Sequence, residues 1–429
     1  MSSVRSLADW LATIEAIHPA EIELGLSRVK EVAVRLELLP FFCGQPSSGS
    51  KSSMPCPVIT VAGTNGKGST VTLIDSLLRA AGKKTGLYTS PHILRFNERI
   101  KLSGVEAEDQ ELVQAFEQIE QARGDISLTY FEYTTLAALL VFQARQVDVV
   151  ILEVGLGGRL DAVNIVDAEV ALITSIGLDH TDWLGESREQ IALEKAGIAR
   201  PGKPLLYGEI DRPASIDSAA SDLGAHLLAA GEQFGVTGQT LFWQHQGQQQ
   251  RLPLTADIPL GSDNLASAVP AISFLGWALP LDMIEPVAAA THLAGRCQRL
   301  ALPKGEVILD IGHNAEALQR FLRLLPATTG RRFALCGMLS DKPAARTLAH
   351  FQQAIDGWYL ASLAGPRGQQ ASVLAALLPT NEPLLGCYDS VREALQAALP
   401  KLQAQDQLLV FGSFYTVSEA SEVLAEIVR

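Results

Sequence analysis

A glycine-rich stretch early in the chain constrains the fold more strongly than any other part of the sequence. The uncharged, β-branched run Val58–Ala62 predicts a buried parallel strand. An apolar-periodic run with Leu73 and Leu77 on one face predicts a helix that ends at Gly82. The loop between them reads Gly-Thr-Asn-Gly-Lys-Gly-Ser from residue 63. Its amides, the helix dipole and the lysine predict a phosphate-binding loop rather than an ordinary strand–helix turn.

Length and charge limit the classes of function that the chain can have. Its 429 residues predict two or three domains, and 47% hydrophobic residues favour a large globular core. The net charge of −13 argues against binding to nucleic acid or to anionic membranes. Five widely spaced cysteines form no CxxC pair, which disfavours a disulfide framework and a zinc site. With no signal peptide and no apolar run of about 18 residues in the sequence, we expect a cytoplasmic protein.

Two residues near predicted strand ends are candidate metal ligands. A second strand, 85–88, is followed by Ser90, whose hydroxyl is placed either to bind magnesium or to form a turn before a proline. Glu153 lies near the end of the apolar strand 149–154. A carboxylate in such a run needs a cation or hydrogen bonds, so the sequence favours a metal role for Glu153.

Several other motifs leave two interpretations open. The aromatic residues within 129–133, at a helix start, are typical either of a core or of a floor on which a flat heterocycle stacks. Taken alone, His180 is more typical of a structural histidine and Lys195 of a solvated surface. The segment 155–161 is not a dinucleotide site, because Leu160 stands where the third glycine belongs.

The remaining pattern predicts an α/β fold with two domains, residues 1–295 and 296–429. Helices are expected at 7–17 and from an N-cap at Ser27 to residue 38, before a polar loop at 45–53. Further strands are expected at 170–175, and segment 202–254 is predicted to be a peripheral sheet with a glutamine-rich patch at 244–250. Beyond residue 296, alternating strands and helices predict a smaller domain with its own parallel sheet.

The motifs in this order resemble the folate branch of the Mur-ligase superfamily, the bacterial dihydrofolate and folylpolyglutamate synthases. The resemblance covers nearly the whole chain. It rests on residues 63–70, 90–92, 129–133, 153–161, 178–180, 195, 295–296, 310 and 313–314.

The resemblance implies a fold and an activity. The N-terminal domain would be a P-loop ATPase-type parallel sheet, and the C-terminal domain a Rossmann-like unit for the incoming amino acid. The protein would be a monomer that uses ATP and two Mg²⁺ ions. It would add L-glutamate to dihydropteroate and to tetrahydrofolate through an acyl phosphate. The alternatives are a folylpolyglutamate synthase only, a P-loop ATPase that is not a ligase, and a ligase acting on UDP-sugar peptides, whose uridine-binding domain is missing here.

The same resemblance implies roles for individual residues. Ser90, Glu153 and His180 would hold magnesium, and Lys195 would be carboxylated by CO2 at its side-chain nitrogen. Lys67, Lys195 and His313 would be catalytic. The nucleotide would be bound by Gly63, Thr64, Asn65, Gly66, Lys67, Gly68, Ser69, Asn264, Arg296 and Asp310. Pteroate would be bound by Glu23, Leu24, Gly25, Leu26, Thr129, Tyr130, Phe131, Glu132, Leu160, Asp161 and Ala162.

Three positions depart from the family pattern. Ala315 replaces a frequent proline, Cys297 replaces a frequent aromatic residue, and Glu23 stands where a related enzyme type has aspartate. These differences affect the predicted ATP contacts and the pteroate pocket rather than the chemistry.

Overall fold

The computed structural model describes residues 5–18, 22–43, 55–245, 247–351 and 354–428. The chain divides into two compact units. The first contains residues 1–92 and 96–291, and the second contains residues 93–95 and 292–429. The predicted polar loop at 45–53 lies outside the described residues.

The first unit is built on an eight-stranded sheet. Its strand order is β4-β3-β2-β5-β1-β6-β7-β8, with the six strands from β2 to β8 parallel and β3 and β4 added antiparallel at one edge. These strands are β1 (Val58–Ala62), β2 (Thr85–Tyr88), β3 (Ile100–Leu102), β4 (Val105–Glu106), β5 (Val149–Glu153), β6 (Val170–Ile173), β7 (Pro204–Tyr207) and β8 (His226–Ala229).

Helices cover this sheet and enclose its core. Every residue of β1, β5 and β6 is buried, as expected for parallel strands covered on both faces. The helices are α1 (Leu7–Ile17), α2 (Ser27–Arg35), α3 (Leu39–Cys43), α4 (Lys67–Ala80), α5 (Asp109–Arg123), α6 (Tyr130–Arg145), α7 (Thr181–Leu184), α8 (Arg188–Ala196), α9 (Ala214–Leu223), α10 (Ser262–Ser273) and α11 (Leu281–Ala290).

The predicted N-cap at Ser27 is wrong. Leu26 occupies the cap position of α2 without a side-chain hydrogen bond, and Ser27 is the first helical residue. In contrast, Ser6 caps α1 through a reciprocal pair of hydrogen bonds with Asp9.

The segment 202–254 is only partly peripheral. Its first two strands, β7 and β8, complete the main sheet, which corrects the prediction for them. The other three form a separate antiparallel sheet in the order β11-β10-β9: β9 (Phe234–Thr237), β10 (Thr240–His245) and β11 (Gln248–Pro253). The described part of the glutamine-rich patch lies in the β10–β11 pair, and Gln246 lies outside the described residues.

The second unit has a six-stranded sheet in the order β12-β13-β17-β14-β15-β16, parallel except at β12. Its strands are β12 (Gln298–Ala301), β13 (Glu306–Asp310), β14 (Arg332–Cys336), β15 (Gly357–Ala361), β16 (Leu384–Tyr388) and β17 (Gln407–Phe411). Its helices are α12 (Ala315–Leu324), α13 (Ala344–Leu348), α14 (Ala371–Leu377), α15 (Val391–Ala398) and α16 (Phe414–Val428). Apolar clusters lie on both faces of this sheet, and the predicted α/β fold with a smaller second sheet is confirmed.

None of the helices in the described ranges combines the length and the apolar character that a membrane span requires.

Candidate functional site

The glycine-rich loop joins β1 to α4 as the sequence predicts. Gly66 occupies the N-cap of α4 with a φ of 87°, a left-handed conformation that glycine adopts at low cost. The Lys67 ammonium donates hydrogen bonds to the carbonyls of Gly63 at 2.9 Å and Thr64 at 3.4 Å. The lysine therefore places its charge against the loop, beside the positive end of the α4 dipole.

Residues that follow β6 hold this loop in place. The Thr64 amide donates to the Ser175 carbonyl at 2.9 Å, and the Gly177 amide donates to the Thr64 hydroxyl at 3.0 Å. The Thr174 hydroxyl donates to the Asn65 carbonyl at 2.7 Å, and the Asn65 amide donates to the Ser175 hydroxyl at 2.8 Å. Because so many contacts come from the segment that follows β6, the loop is preorganised before any anion binds.

Gly63 allows the loop to lie very close to Thr174, and a substitution at Gly63 tests whether this close contact matters. A Cβ at this position would lie 1.9 Å from the Thr174 hydroxyl oxygen, at a φ of +152°. We expect Gly63→Ala to lower the free energy of unfolding by about 1–3 kcal/mol and to weaken nucleotide binding, measured by urea unfolding and by titration with an ATP analogue. Gly82→Ala is the matched control, since its φ is +79° but no atom lies within 4 Å. Equal effects of both substitutions would contradict the close approach.

Ser90 and Glu153 meet at the same edge of the sheet. Glu153 ends β5 and is 4% exposed, and Ser90 follows the adjacent parallel strand β2 by two residues. The Ser90 amide donates to Glu153 Oε2 at 3.3 Å. Since β1 is the other neighbour of β5, the phosphate-type loop, the serine hydroxyl and the buried carboxylate share one edge of the sheet.

His180 lies at this edge as well, beyond β6. It adopts a φ of 51°, precedes α7 and is exposed. Within the described ranges no cluster of three His, Cys, Asp or Glu side chains suited to a metal is found. The magnesium ligands that the family resemblance implies include only one histidine and one glutamate, because the third ligand is Ser90.

Lys195 is buried, so the surface position that the sequence alone suggests is wrong. The residue is 4% exposed on α8. Gly158 lets α8 approach the 155–161 loop, since a Cβ there would lie 2.9 Å from the Lys195 carbonyl oxygen. Burial and the nearby Lys67 lower the pKa of Lys195 to about 7, against the opposing effects of Asp179 and Asp161. A substantial fraction of the amine is therefore neutral near pH 7.

This pKa gives a prediction for stability. The folded pKa of about 7 lies below the ordinary 10.5, so between these pH values the unfolded chain binds more protons than the folded one. The free energy of unfolding of the parent is therefore highest above pH 10.5 and decreases as the pH falls to 7. In CO2-free buffer we expect Lys195→Met to be more stable than the parent, with an advantage larger at pH 6.5 than at pH 9 and at most about 5 kcal/mol. Urea unfolding at both pH values measures this. An advantage independent of pH, or one equal to that of the half-buried control Lys203→Met, would contradict it.

A cavity of about 270 Å³ opens beside these residues. Nine of the eleven predicted pteroate residues line it, and so do Ser90 and His180 from the predicted metal set. Its lining is Ile22, Glu23, Leu24, Gly25, Ser90, Pro91, Arg99, Thr129, Phe131, Glu132, Gly155, Leu156, Leu160, Asp161, Ala162 and His180.

Local hydrogen bonds bring three distant segments of the chain to the cavity wall. The Gly25 amide donates to the Leu160 carbonyl at 3.3 Å, which joins the first segment to the third. Thr129 caps α6, and the buried Glu132 carboxylate accepts from the Thr129 amide at 2.8 Å. This reciprocal capping pair explains how a carboxylate is tolerated in the wall. Phe131 lines the cavity, whereas the nearby Tyr133 is fully buried in the core, so the core interpretation holds for Tyr133 and the stacking role of Phe131 stays a prediction.

The carboxylates of the wall have partners within the protein. His18 and Arg28 bind the Glu23 carboxylate and lower its pKa. Burial raises the pKa of Asp161 to about 6, although its oxygens accept from the amides of Leu156 at 2.9 Å and Val163 at 3.1 Å.

Not every predicted residue reaches this cavity. Leu26 and Tyr130 do not line it, and both pack against the core. Asn264 is buried in α10, which packs against α4, and donates to the Leu260 carbonyl at 2.7 Å.

The other predicted residues belong to the second unit. Asp310 ends β13 and accepts from the amides of Cys297 and Gly312 at 2.9 and 2.8 Å, while burial raises its pKa. Arg296 lies over the Phe414 ring, 5.7 Å from its centroid, and His313 Nδ1 lies 3.1 Å from the Ile311 carbonyl oxygen.

Sequence reasoning missed five residues that line the cavity: Ile22, Pro91, Arg99, Gly155 and Leu156. Pro91 and Gly155 each follow a predicted strand end, and this position was the available signal. Arg99 carried no such signal, because it lies in a short 3-10 turn before β3.

Two family models match the chain. The Mur ligase middle domain matches residues 61–206, and the Mur ligase glutamate ligase domain matches residues 295–414.

Close relatives extend the match to nearly the full length. The chain is 44% identical to the dihydrofolate synthase/folylpolyglutamate synthase of Escherichia coli over 97% of this chain and 95% of that protein. A solved structure of E. coli FolC in complex with DHPP and ADP matches with a TM-score of 0.88 at 43% identity, covering 99% of both chains. A bifunctional folylpolyglutamate synthase/dihydrofolate synthase with Mn, AMPPNP and L-glutamate bound matches with a TM-score of 0.86 at 43% identity over 98% of both. This chain therefore belongs to the dihydrofolate synthase/folylpolyglutamate synthase family of Mur ligases.

Proposed function

We propose that this chain is an ATP-dependent, ADP-forming ligase that joins L-glutamate to dihydropteroate and to reduced folates. The family membership supports this activity. The observation that carries it in this molecule is the cavity whose wall contains both the pteroate-type segments and Ser90, at the sheet edge that bears the phosphate-type loop. An acid bound in such a cavity would have its carboxyl group beside the terminal phosphate of ATP.

The residues at this edge suit a magnesium ion. Magnesium prefers oxygen ligands, and the Ser90 hydroxyl and the buried Glu153 carboxylate supply them on adjacent strands. His180 would complete the set, and we propose two ions as in the sequence prediction. A magnesium ion held by these residues would offset the negative charge of the phosphate groups.

We further propose that Lys195 is carboxylated at its side-chain nitrogen. A neutral amine adds to CO2 and releases one proton, which leaves a carbamate with a carboxylate-like end. A pKa of about 7 supports this reaction, because a protonated lysine has no lone pair to donate. The product would replace a second ammonium near Lys67 by a negative charge, which removes a repulsion and adds an oxygen ligand for a metal.

A carboxylate does not react directly with an amine, because the group that would have to leave is an oxide ion. Transfer of a phosphate from ATP converts this oxygen into a good leaving group. An oxygen of the pteroyl carboxylate attacks the terminal phosphorus of ATP, and ADP leaves. Lys67 and the loop amides would neutralise the charge that spreads over the phosphate oxygens. The neutral amine of glutamate then attacks the acyl carbon, phosphate departs with the original carboxylate oxygen, and an amide remains.

The cavity wall suggests how the acceptor is held. Phe131 offers an aromatic face for a pterin ring, while Glu132 and Asp161 present oxygen acceptors. Gly155 lets the loop approach this ring, since a Cβ there would lie 2.7 Å from Phe131.

The remaining sequence predictions stay proposals. Asn264, Arg296 and Asp310 are proposed to contact the nucleotide, and His313 is proposed as a catalytic residue with no assigned step. Residues 1–295 are proposed to form the ATP-binding and pteroate-binding domain, and residues 296–429 the glutamate ligase domain. We also propose a cytoplasmic monomer.

ADP release tests the proposed function. The purified protein should release ADP with dihydropteroate or tetrahydrofolate only when L-glutamate is also present, and a new amide product should form. Release with tetrahydrofolate alone as the acceptor would indicate a folylpolyglutamate synthase. Release that needs neither acceptor nor glutamate would overturn the ligase assignment in favour of an ATPase.

A further inference from the structure

Arg99 is a buried cation on the cavity wall. It ends the 3-10 turn Phe96–Arg99, is 8% exposed and lines the cavity together with Ser90 and Pro91. A guanidinium placed there lies within reach of whatever acid the cavity binds.

The neighbours of Arg99 fix its orientation. Its Nε donates to His92 Nδ1 at 2.8 Å, and its guanidinium carbon lies 5.8 Å from the centroid of Phe96 and 5.4 Å from that of Tyr130. Because the Arg99 Nε–H is the donor, His92 Nδ1 is the acceptor of this bond. One edge of the guanidinium is therefore held by the protein while its terminal nitrogens remain for another partner.

No carboxylate in the described parts of the chain forms an ion pair with Arg99. The acidic residues of the cavity wall are engaged elsewhere: Glu132 with the Thr129 amide and Arg28, and Asp161 with backbone amides. Buried charges in proteins are usually paired, because an isolated charge loses its hydration without compensation. A buried arginine at a cavity that has no internal carboxylate partner is typical of a site for an external anion.

We propose that Arg99 binds the carboxylate of the pteroyl acceptor and so determines which acids the cavity accepts. This inference rests on the proposed function. In dihydropteroate the group bound is the aryl carboxylate. The planar fork of Arg99 matches a carboxylate in two parallel hydrogen bonds and orients it relative to Ser90.

A binding experiment separates this role from a structural one. The probes are pteroic acid and its uncharged carboxamide, whose affinities are measured by quenching of pterin fluorescence without turnover. The proteins compared are the parent chain, Arg99→Gln, Arg99→Lys and the control Arg145→Gln, whose exposed guanidinium pairs with Glu111. Thermal unfolding and binding of an ATP analogue verify that each variant is folded.

We expect the parent and the Arg145→Gln control to bind the acid about tenfold to a hundredfold more tightly than the amide, the range for a charge-assisted hydrogen bond. In Arg99→Gln this preference should disappear, with little change in amide affinity, and Arg99→Lys should retain part of it. Equal weakening of both ligands, or an unchanged preference, would overturn the inference and leave the proposed function standing. A parent chain that binds neither ligand would overturn both.

Discussion

Lys67→Ala is expected to reduce ATP-dependent amide formation by at least about a hundredfold while the fold stays intact. The lysine is the cation that the β1–α4 loop holds against its own carbonyls, at the position where phosphate charge would accumulate. Its removal leaves the other anchors of the loop in place, since Thr174 and Ser175 hold Asn65 without it. Steady-state ADP release, with thermal unfolding as the test of folding, measures the effect.

Lys203→Ala is the matched control for this substitution. Lys203 pairs with Glu169 and precedes β7, so it lies at the opposite edge of the sheet from the loop. We expect the Lys203→Ala variant to form amide as fast as the parent chain. Near-normal turnover of a folded Lys67→Ala protein would contradict the assignment of the loop as the phosphate site.

Lys195→Ala is expected to be inactive and partly rescued by a short carboxylic acid such as acetate. The substitution removes a buried side chain that we propose to be carboxylated, and it leaves a space near Lys67. A small carboxylate that enters this space would supply the oxygen ligand and the negative charge that the proposed carbamate would provide. We expect ADP release to rise with acetate concentration in the variant and not in the parent.

Two comparisons make this test specific. Chloride at equal ionic strength controls for salt, and ethylammonium tests whether a cation restores activity instead. Full activity of the variant without any additive, or rescue by ethylammonium alone, would contradict the carbamate.

Local patterns predicted much of the first unit. The strand–loop–helix of residues 58–82 was predictable because its apolar run, its glycines and its helix lie consecutively in the chain. The meeting of Ser90 and Glu153 was also predictable, since parallel strands place their carboxyl ends at one edge. The family resemblance added three segments that surround the cavity. Nine of the eleven residues predicted in these segments line it.

Features that depend on tertiary packing were not predictable. The burial of Lys195 requires Gly158 to admit α8, a contact between residues 37 positions apart that leaves no periodic trace in the sequence. In the sequence, Arg99 looks like any charged residue in a short turn. Only in the folded structure do the aromatic rings and His92 surround it. Ser27 fitted a cap pattern, but the preceding chain enters α2 at Leu26 and leaves the serine inside the helix.

In the proposed reaction, a carboxylate of the acceptor is activated by transfer of a phosphate to it. Dihydropteroate labelled with ¹⁸O in its carboxylate, incubated with ATP, magnesium and L-glutamate, tests this claim through the ³¹P resonance of the phosphate released. We predict that the label appears in inorganic phosphate in proportion to the amide formed. Amide formation with unlabelled phosphate would contradict activation of the carboxylate by phosphate transfer.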